Sequence, residues 1–115
     1  MEELYARLSL LAEPVRVRLL SVLAEEELGV GEVCRIVQLP QSTVSRHLKA
    51  LQTAELVRRR SEGTRSLFRM VALDGPSREL WATVSAAHQG TLQHEEDAAR
   101  LRATLQERAV DSDTF

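Results

Sequence analysis

The sequence predicts a mainly α-helical domain with one small β-hairpin. Leu, Val and Ala dominate its apolar residues and aromatic residues make up only 3% of the chain, which is typical of a mostly helical protein. Apolar residues recur at helical spacing through most of the sequence. Residues 56–71 instead form two β-prone runs around a Ser-Glu-Gly turn. With 115 residues, the chain is expected to be one domain with a modest core.

Two amphipathic helices are predicted first, over residues 2–12 and 14–25. Apolar residues recur along one side of each: Leu4, Leu8 and Leu11 in the first, and Val15, Leu19, Val22 and Leu23 in the second. Pro14 fits the first turn of the second helix, because its missing N–H leaves no hydrogen bond unmade there.

Two shorter helices are predicted next, over about 30–37 and about 41–52. Pro40 cannot continue the first of them and fits the start of the second. The second carries an apolar stripe at spacing i, i+4, i+7, formed by Val44, Leu48 and Leu51. Two short helices joined by a tight turn, the second polar on one face, predict a helix-turn-helix.

The polar face of the 41–52 helix has many hydrogen-bonding groups and no acidic residue. Its members are Gln41, Ser42, Thr43, Ser45, Arg46, His47 and Lys49. Such side chains can contact base edges in the DNA major groove, and Arg and Lys can contact phosphates or guanine. We therefore predict a recognition helix, in which Arg46 and Lys49 contact phosphates, or Arg46 a guanine. The residues predicted to contact base edges or nearby phosphates are Gln41, Ser42, Thr43, Ser45 and His47. An ordinary amphipathic surface helix is the alternative.

An arginine-rich hairpin is predicted over about 56–71, with Gly63 free to take a positive φ at its tip. Placed directly after a recognition helix, it would be a wing that touches flanking phosphates or the minor groove. The wing residues predicted to contact DNA are Arg59, Arg60 and Arg65. Positive charge is concentrated in the segment that holds the predicted recognition helix and wing. Residues 41–69 carry a net charge of +5, although the whole chain has a net charge of −2. Segregated positive charge is typical of a DNA-binding surface, and a solvated edge is the alternative.

One long helix is predicted over about 76–108. A 4-3-4-3 seam runs along it, formed by Leu80, Val84, Ala87, Thr91, His94, Ala98, Leu101 and Leu105. Such a seam packs against another helix, and a helix this long cannot bury all of it in so small a domain. We predict pairing with the same helix of a second subunit, assisted by the first helix. An intramolecular packing stripe is the alternative.

Residues 11–20, 27–33 and 41–51 resemble the ArsR/SmtB family of bacterial transcriptional repressors. The run Ser-Thr-Val-Ser-Arg-His-Leu-Lys at 42–49, followed by an arginine-rich wing, is close to a family signature. The resemblance covers roughly residues 5–72. It implies a winged helix-turn-helix that forms a homodimer through its first and last helices. It also implies binding to a two-fold operator in double-stranded DNA, and release by a small-molecule or metal effector.

The chain departs from the metal-sensing members of that family. They often carry two cysteines where this chain has Gly29 and Gly31, so thiolate ligands for a soft metal are missing. A second family site, on the last helix, uses an Asp-x-His pair, but Ala86 stands two residues before His88. His88 and His94 are six residues apart, which would place them on different faces of one helix. We predict no metal site and no cofactor.

The opening residues 1–14, the stretch 39–48 and the closing residues 111–115 look like the regulator domain of fusions to an S-adenosylmethionine-dependent methyltransferase. The alternative function is therefore a non-sensing DNA-binding and dimerisation module of such an enzyme. The chain itself is not predicted to be an enzyme, because no nucleophile–base or paired-carboxylate constellation stands out.

The sequence predicts a cytoplasmic protein without a membrane span. No apolar run approaches 18 residues, and the Met-Glu-Glu start lacks the basic region of a secretory signal. The single cysteine, Cys34, excludes an internal disulfide framework and fits a reducing compartment.

Overall fold

The computed structural model describes residues 1–114, with side chains described up to Val110. In chain order the described elements are α1 (Glu2–Leu11), α2 (Pro14–Glu25), β1 (Leu28–Gly29), α3 (Val30–Val37), α4 (Gln41–Thr53), β2 (Val57–Glu62), β3 (Arg65–Met70), α5 (Gly75–Gln89) and α6 (Leu92–Thr114). The predicted fold class, mainly α with a small hairpin, is confirmed. Among the described residues, no helix has both the length and the apolarity needed to cross a bilayer.

The core lies between α2, α3, α4 and the sheet. Its fully buried side chains include Leu19, Leu20, Leu28, Val33, Ile36, Val37 and Leu56. The apolar stripe predicted for α4 is confirmed, since Val44, Leu48 and Leu51 are all at most 2% exposed. This stripe fixes α4 against α2 and α3, so the opposite side of α4 faces outward.

The sheet has a strand that the sequence did not predict. Leu28 and Gly29 form β1, which pairs antiparallel with β3 opposite Phe68 and Leu67. The strand order is β1-β3-β2. A two-residue strand is too short to show alternating apolarity, so only its pairing reveals it. The hairpin formed by β2 and β3, here called the wing, turns at Gly63, whose φ is +61° as its position predicted.

The long helix predicted over 76–108 is wrong as a single element, because the chain forms α5 and α6 with a break at Gly90 and Thr91. Glycine weakens a helix interior, and threonine is a good N-cap. The Thr91 hydroxyl accepts the His94 N–H (3.2 Å) and donates to the His88 carbonyl (2.7 Å). In α6 the predicted seam packs within the same chain, since Leu101 joins the core.

Two ion-pair networks attach α6 to α3. At the C-terminal end of α3, the buried carboxylate of Asp97 accepts from Arg18 (2.9 and 3.0 Å) and from Arg100 (3.0 Å). Arg18 also donates to the Val37 carbonyl (2.6 Å), and Arg100 donates to the Ile36 carbonyl. The arginines thus satisfy carbonyls that a helix end leaves without partners.

The second network lies at the N-terminal end of α3. The buried carboxylate of Glu32 accepts from Arg108 of α6 (2.7 Å), from the Gly29 N–H (2.9 Å) and from Arg65 of the wing (3.3 Å). Burial acts to raise the pKa of Glu32, but the hydrogen bonds from Arg108 and Gly29 keep that pKa below its usual value. One carboxylate therefore connects α3, α6 and the wing.

Candidate nucleic-acid interface

The outer side of α4 presents most of the polar side chains predicted for it. The exposed ones are Gln41, Ser42, Ser45, Arg46 and Lys49, while Thr43 is half-buried. Within the part of the chain that the structure describes, these six side chains have no hydrogen-bond or ion-pair partner. Helix α4 also contains no acidic residue. The surface therefore combines positive charge with unused donors and acceptors, which suits contact with phosphates and base edges.

His47 does not belong to this surface, which corrects the prediction that it contacts bases or phosphates. It lies three residues after Val44 and four before Leu51, so helical periodicity places it beside the buried stripe. It is 7% exposed, and its Nδ1 accepts a hydrogen bond from Arg16 Nε (3.2 Å). Burial, followed by the charges of Arg16 and Arg46, lowers the pKa of His47.

Two of the three predicted wing arginines are paired with carboxylates. Arg60 forms a bidentate pair with Glu27 (2.6–3.0 Å) and also contacts Glu62 (3.0 Å). The hydrogen bond from Arg60 lowers the pKa of Glu27. Arg65 pairs with Glu32. To contact DNA, Arg60 and Arg65 would have to exchange these carboxylates for phosphates.

Strand alternation places the remaining wing arginines on different faces. Arg59 lies opposite Phe68 in the register and donates to the Ser66 hydroxyl (2.6 Å), so its charge is not neutralised by a carboxylate. Arg58 lies opposite Arg69 and is exposed, with no side-chain hydrogen bond or ion pair to the described residues. Arg58 was not among the residues predicted to contact DNA, although period-two alternation separates Arg59 from its two neighbours.

His88 and His94 come together in the structure, contrary to the prediction that they lie on different faces. Their ring centroids are 5.4 Å apart because the helix breaks between them. Burial and the neighbouring His94 lower the pKa of His88. Among the described residues, no group of three or more His, Cys, Asp or Glu side chains is arranged to hold a metal ion. Cys34 is half-buried, and burial raises the pKa of its thiol.

Gly29 lies close to the Glu32 network. A Cβ at this position would lie 3.0 Å from Arg65 Nη2 and 3.6 Å from Glu32 Oε1. A side chain there would therefore contact the end of the exposed Arg65 side chain, which would have to shift slightly. One of the two positions at which metal sensors resembling this chain often carry cysteine thus lies beside the Glu32–Arg65 ion pair.

Residues 13–59, from the residue that caps α2 to the third residue of β2, match the family described as "Bacterial regulatory protein, arsR family". The segment from α2 to the start of β2 therefore matches an ArsR-family helix-turn-helix domain. The HTH-type transcriptional regulator KmtR of Mycobacterium tuberculosis is 41% identical over 61 residues, which is 53% of this chain and 47% of KmtR. The HTH-type transcriptional regulator Rv2034 of the same organism is 40% identical over 60 residues, 52% of this chain and 56% of Rv2034. The chain thus spans about half the length of the curated relatives it matches.

A solved structure shares the fold of this chain. It is the solution NMR structure of the homodimeric winged helix-turn-helix DNA-binding domain (fragment 1–100) of Mb0332 from Mycobacterium bovis, described as a possible ArsR-family transcriptional regulator. The TM-score is 0.65 at 29% identity, over 81% of this chain and 84% of that one. The fold is therefore a winged helix-turn-helix, with α3 and α4 as its two helices and β2–β3 as its wing.

Acidification is expected to destabilise the fold. The pKa values of His47 and His88 are lowered in the fold, so the unfolded chain binds more protons below its ordinary histidine pKa of about 6.5. The free energy of unfolding should then fall as the pH decreases through that value toward the lowered pKa values. Urea denaturation of the protein and of the double variant His47→Gln/His88→Gln, between about pH 7.5 and about pH 5, measures this. A wild-type midpoint that does not move, or a double variant with the same pH dependence, would contradict the expectation.

Proposed function

We propose that this chain is a homodimeric bacterial transcriptional repressor that binds a two-fold operator in DNA through α4. The observation that carries the proposal is the outer side of α4, where positive and neutral hydrogen-bonding groups stand without partners in the described chain. The buried stripe on the other side holds α4 rigidly, so these groups are presented in a fixed arrangement. A transcriptional repressor of this kind would work in the cytoplasm.

Each exposed residue of α4 is assigned a role by its chemistry. We assign base-edge or nearby phosphate contacts to the short polar side chains Gln41, Ser42, Thr43 and Ser45. Arg46 and Lys49 are assigned to phosphates, with guanine as the other possible target of Arg46. In the wing, Arg58 and Arg59 have no carboxylate partner among the residues whose side chains are described, and they are the first candidates for flanking phosphates. Arg60 and Arg65 would contact phosphates only if their ion pairs with carboxylates open.

Dimerisation is supported by an exposed apolar stripe on α1. Met1, Tyr5 and Leu8 follow the spacing i, i+4, i+7 and are 77%, 61% and 45% exposed. Helix α5, which packs against α1, has no buried residue either. A second copy of the chain is the occupant that we propose for this face, since the structurally similar Mb0332 fragment is described as homodimeric. Two copies would present two recognition helices, as a two-fold operator requires.

The direct test is fluorescence anisotropy of the protein on DNA from upstream of its own gene and on a scrambled duplex, at several salt concentrations. We expect two subunits to bind the upstream DNA in preference to the scrambled duplex, with an affinity that falls steeply as salt rises. Equal and weak binding to both duplexes would contradict autoregulation at that site. It would favour instead a domain that mainly dimerises a larger protein.

Replacing Arg46 by alanine is expected to weaken binding to all duplexes about equally and to lower the salt slope by about one for each subunit, and so by about two for the dimer. The reason is that a phosphate contact contributes counterion release but no discrimination between sequences. Arg102→Ala is the matched control, because Arg102 is an exposed arginine of α6 outside the proposed surface. The same loss in both variants would refute a contact by Arg46. A loss confined to the upstream duplex would reassign Arg46 to a base.

A further inference from the structure

The guanidinium of Arg16 connects three helices at the inner side of α4. Arg16 belongs to α2, and its Nε donates to Nδ1 of His47 in α4 (3.2 Å). Its Nη1 donates to the carbonyl of Leu10 near the end of α1 (3.3 Å). The proposed recognition helix is thus joined by hydrogen bonds, through one side chain, to the helix that we propose forms the dimer.

The Arg16–His47 hydrogen bond requires a neutral imidazole. An arginine can only donate, so Nδ1 must be the unprotonated nitrogen and Nε2 must carry the hydrogen. Protonation would turn Nδ1 into a donor that faces another donor. It would also place a second positive charge about 3 Å from a guanidinium, where like charges repel strongly in a partly buried site.

The surroundings of His47 reinforce this preference for the neutral form. The charged groups facing it are Arg16 of α2, Arg46 of α4 and Glu13 just before α2. Two of the three are positive, and the Glu13 carboxylate is already used as the N-cap of α2, accepting the Val15 N–H (3.4 Å). None of these three groups would therefore offset the positive charge of a protonated His47.

We propose that Arg16 and His47 form a proton-sensitive positioning pair, which sets α4 relative to α1 and α2 and is competent for DNA binding only while His47 is neutral. The inference rests on the proposed function, since it concerns how α4 is presented to DNA. His47 acts through Arg16 and touches no base or phosphate.

This positioning role predicts a pH dependence opposite in sign to that of a direct contact. A histidine that touched phosphates would bind DNA more tightly when protonated, because it would gain a positive charge. A positioning histidine that must be neutral has to lose its proton before the protein can bind DNA. Affinity should then fall on acidification below the pKa of His47, by as much as about tenfold per pH unit for each subunit and so about 100-fold for the dimer.

The experiment measures operator affinity between about pH 7.5 and about pH 5 for the protein and for His47→Gln, with dimer content and folding checked at each pH by sedimentation and circular dichroism. Glutamine can accept the Arg16 hydrogen bond through its amide oxygen but does not titrate in this range. We expect wild-type affinity to fall on acidification. His47→Gln should bind with similar affinity at high pH, and its affinity should not change with pH.

Wild-type affinity that rises or stays constant on acidification, or a His47→Gln affinity that still falls, would overturn the proposal. The second result would assign the pH dependence to His88, His94 or the DNA.

A spectroscopic measurement without DNA separates this proposal from the proposed function. Long-range ¹H–¹⁵N NMR of the free protein should show His47 as the Nε2–H tautomer, and Arg16→Lys should change the Nδ1 resonance of His47. Finding the Nδ1–H tautomer, or a protonated ring at neutral pH, would overturn the positioning pair whether or not the protein binds DNA. Wild-type protein that shows the expected tautomer but no specific DNA binding at high pH would instead refute the proposed function and, with it, the role of the pair in DNA binding.

Discussion

Replacing Asp97 with alanine is expected to lower the free energy of unfolding by about 3–5 kcal/mol, the usual cost of removing one partner from a buried ion pair. The Asp97 side chain is 3% exposed and that of Arg18 is 12% exposed. Without the carboxylate, Arg18 would keep only its hydrogen bond to the Val37 carbonyl and would remain a buried charge without a counterion. Arg100 and Gln93 would lose a partner as well.

Chemical denaturation of Asp97→Ala beside Glu96→Ala measures this loss. Glu96 is the preceding residue of α6 and is exposed, so its removal changes the net charge equally without opening a buried pair. The control should stay within about 0.5 kcal/mol of the wild type. Equal stabilities for the two variants would show that the Asp97 network does not hold α6 against α2 and α3.

Replacing Leu8 with glutamate is expected to convert the protein to a monomer and to weaken operator binding by about 100-fold or more. Leu8 lies on the exposed apolar stripe of α1, and a carboxylate there would be buried against its symmetry mate in the proposed dimer. The loss is large because two linked recognition helices gain about 10²–10⁴ in avidity over one. Leu8 is exposed in the single chain, so the substitution should leave the fold intact.

Sedimentation and anisotropy of Leu8→Glu and Ala103→Glu distinguish loss of the dimer from a simple charge effect. Ala103 is exposed on α6, and its replacement adds the same negative charge away from α1. We expect the control to remain dimeric and to bind DNA like the wild type after a small correction for charge. A dimeric Leu8→Glu protein with unchanged affinity would place the dimer interface elsewhere on the chain.

The sequence predicted those parts of the fold that local patterns determine. The bounds of α2, α3 and α4 follow from Pro14, Pro40 and the apolar periodicity between them, and all three helices were found within a residue or two of the expected bounds. The turn at Gly63 could be predicted because only a positive φ fits a tight hairpin tip there. These features depend on neighbours in the sequence, and one sequence is enough to reveal them.

The features that the sequence did not predict depend on distant partners. The strand β1 exists only through its pairing with β3. The break at Gly90 and Thr91 interrupts the helix predicted over 76–108, and Leu101 of α6 packs into the core beyond it. His47 was assigned to the polar surface because its residue type suits DNA contact. Its helical position beside Leu48 was the better guide.

In the wing, too, the features set by neighbours in the sequence were predictable and those set by distant partners were not. From Arg58-Arg59-Arg60 the prediction chose Arg59 and Arg60, but which arginine is available to DNA depends on where carboxylates lie in space. Glu27 precedes Arg60 by 33 residues, and Glu32 precedes Arg65 by 33. Such pairs are visible only once β1 has joined the sheet and α3 has packed behind it. The candidate surface was therefore predictable as a region, and its individual contacts were not.

Selection of bound duplexes from a random-sequence pool, followed by sequencing, tests the central claim most directly, since it does not presuppose which operator is used. The proposed dimer with α4 as recognition helix predicts an enriched palindromic sequence whose half-sites are centred about one helical turn apart. It also predicts that the enrichment disappears in Leu8→Glu and that the preferred bases change in Ser42→Ala or Ser45→Ala. A pool that shows no enriched sequence, or an enriched single site that Leu8→Glu selects equally well, would contradict the claim that this chain is a dimeric, sequence-specific DNA-binding protein.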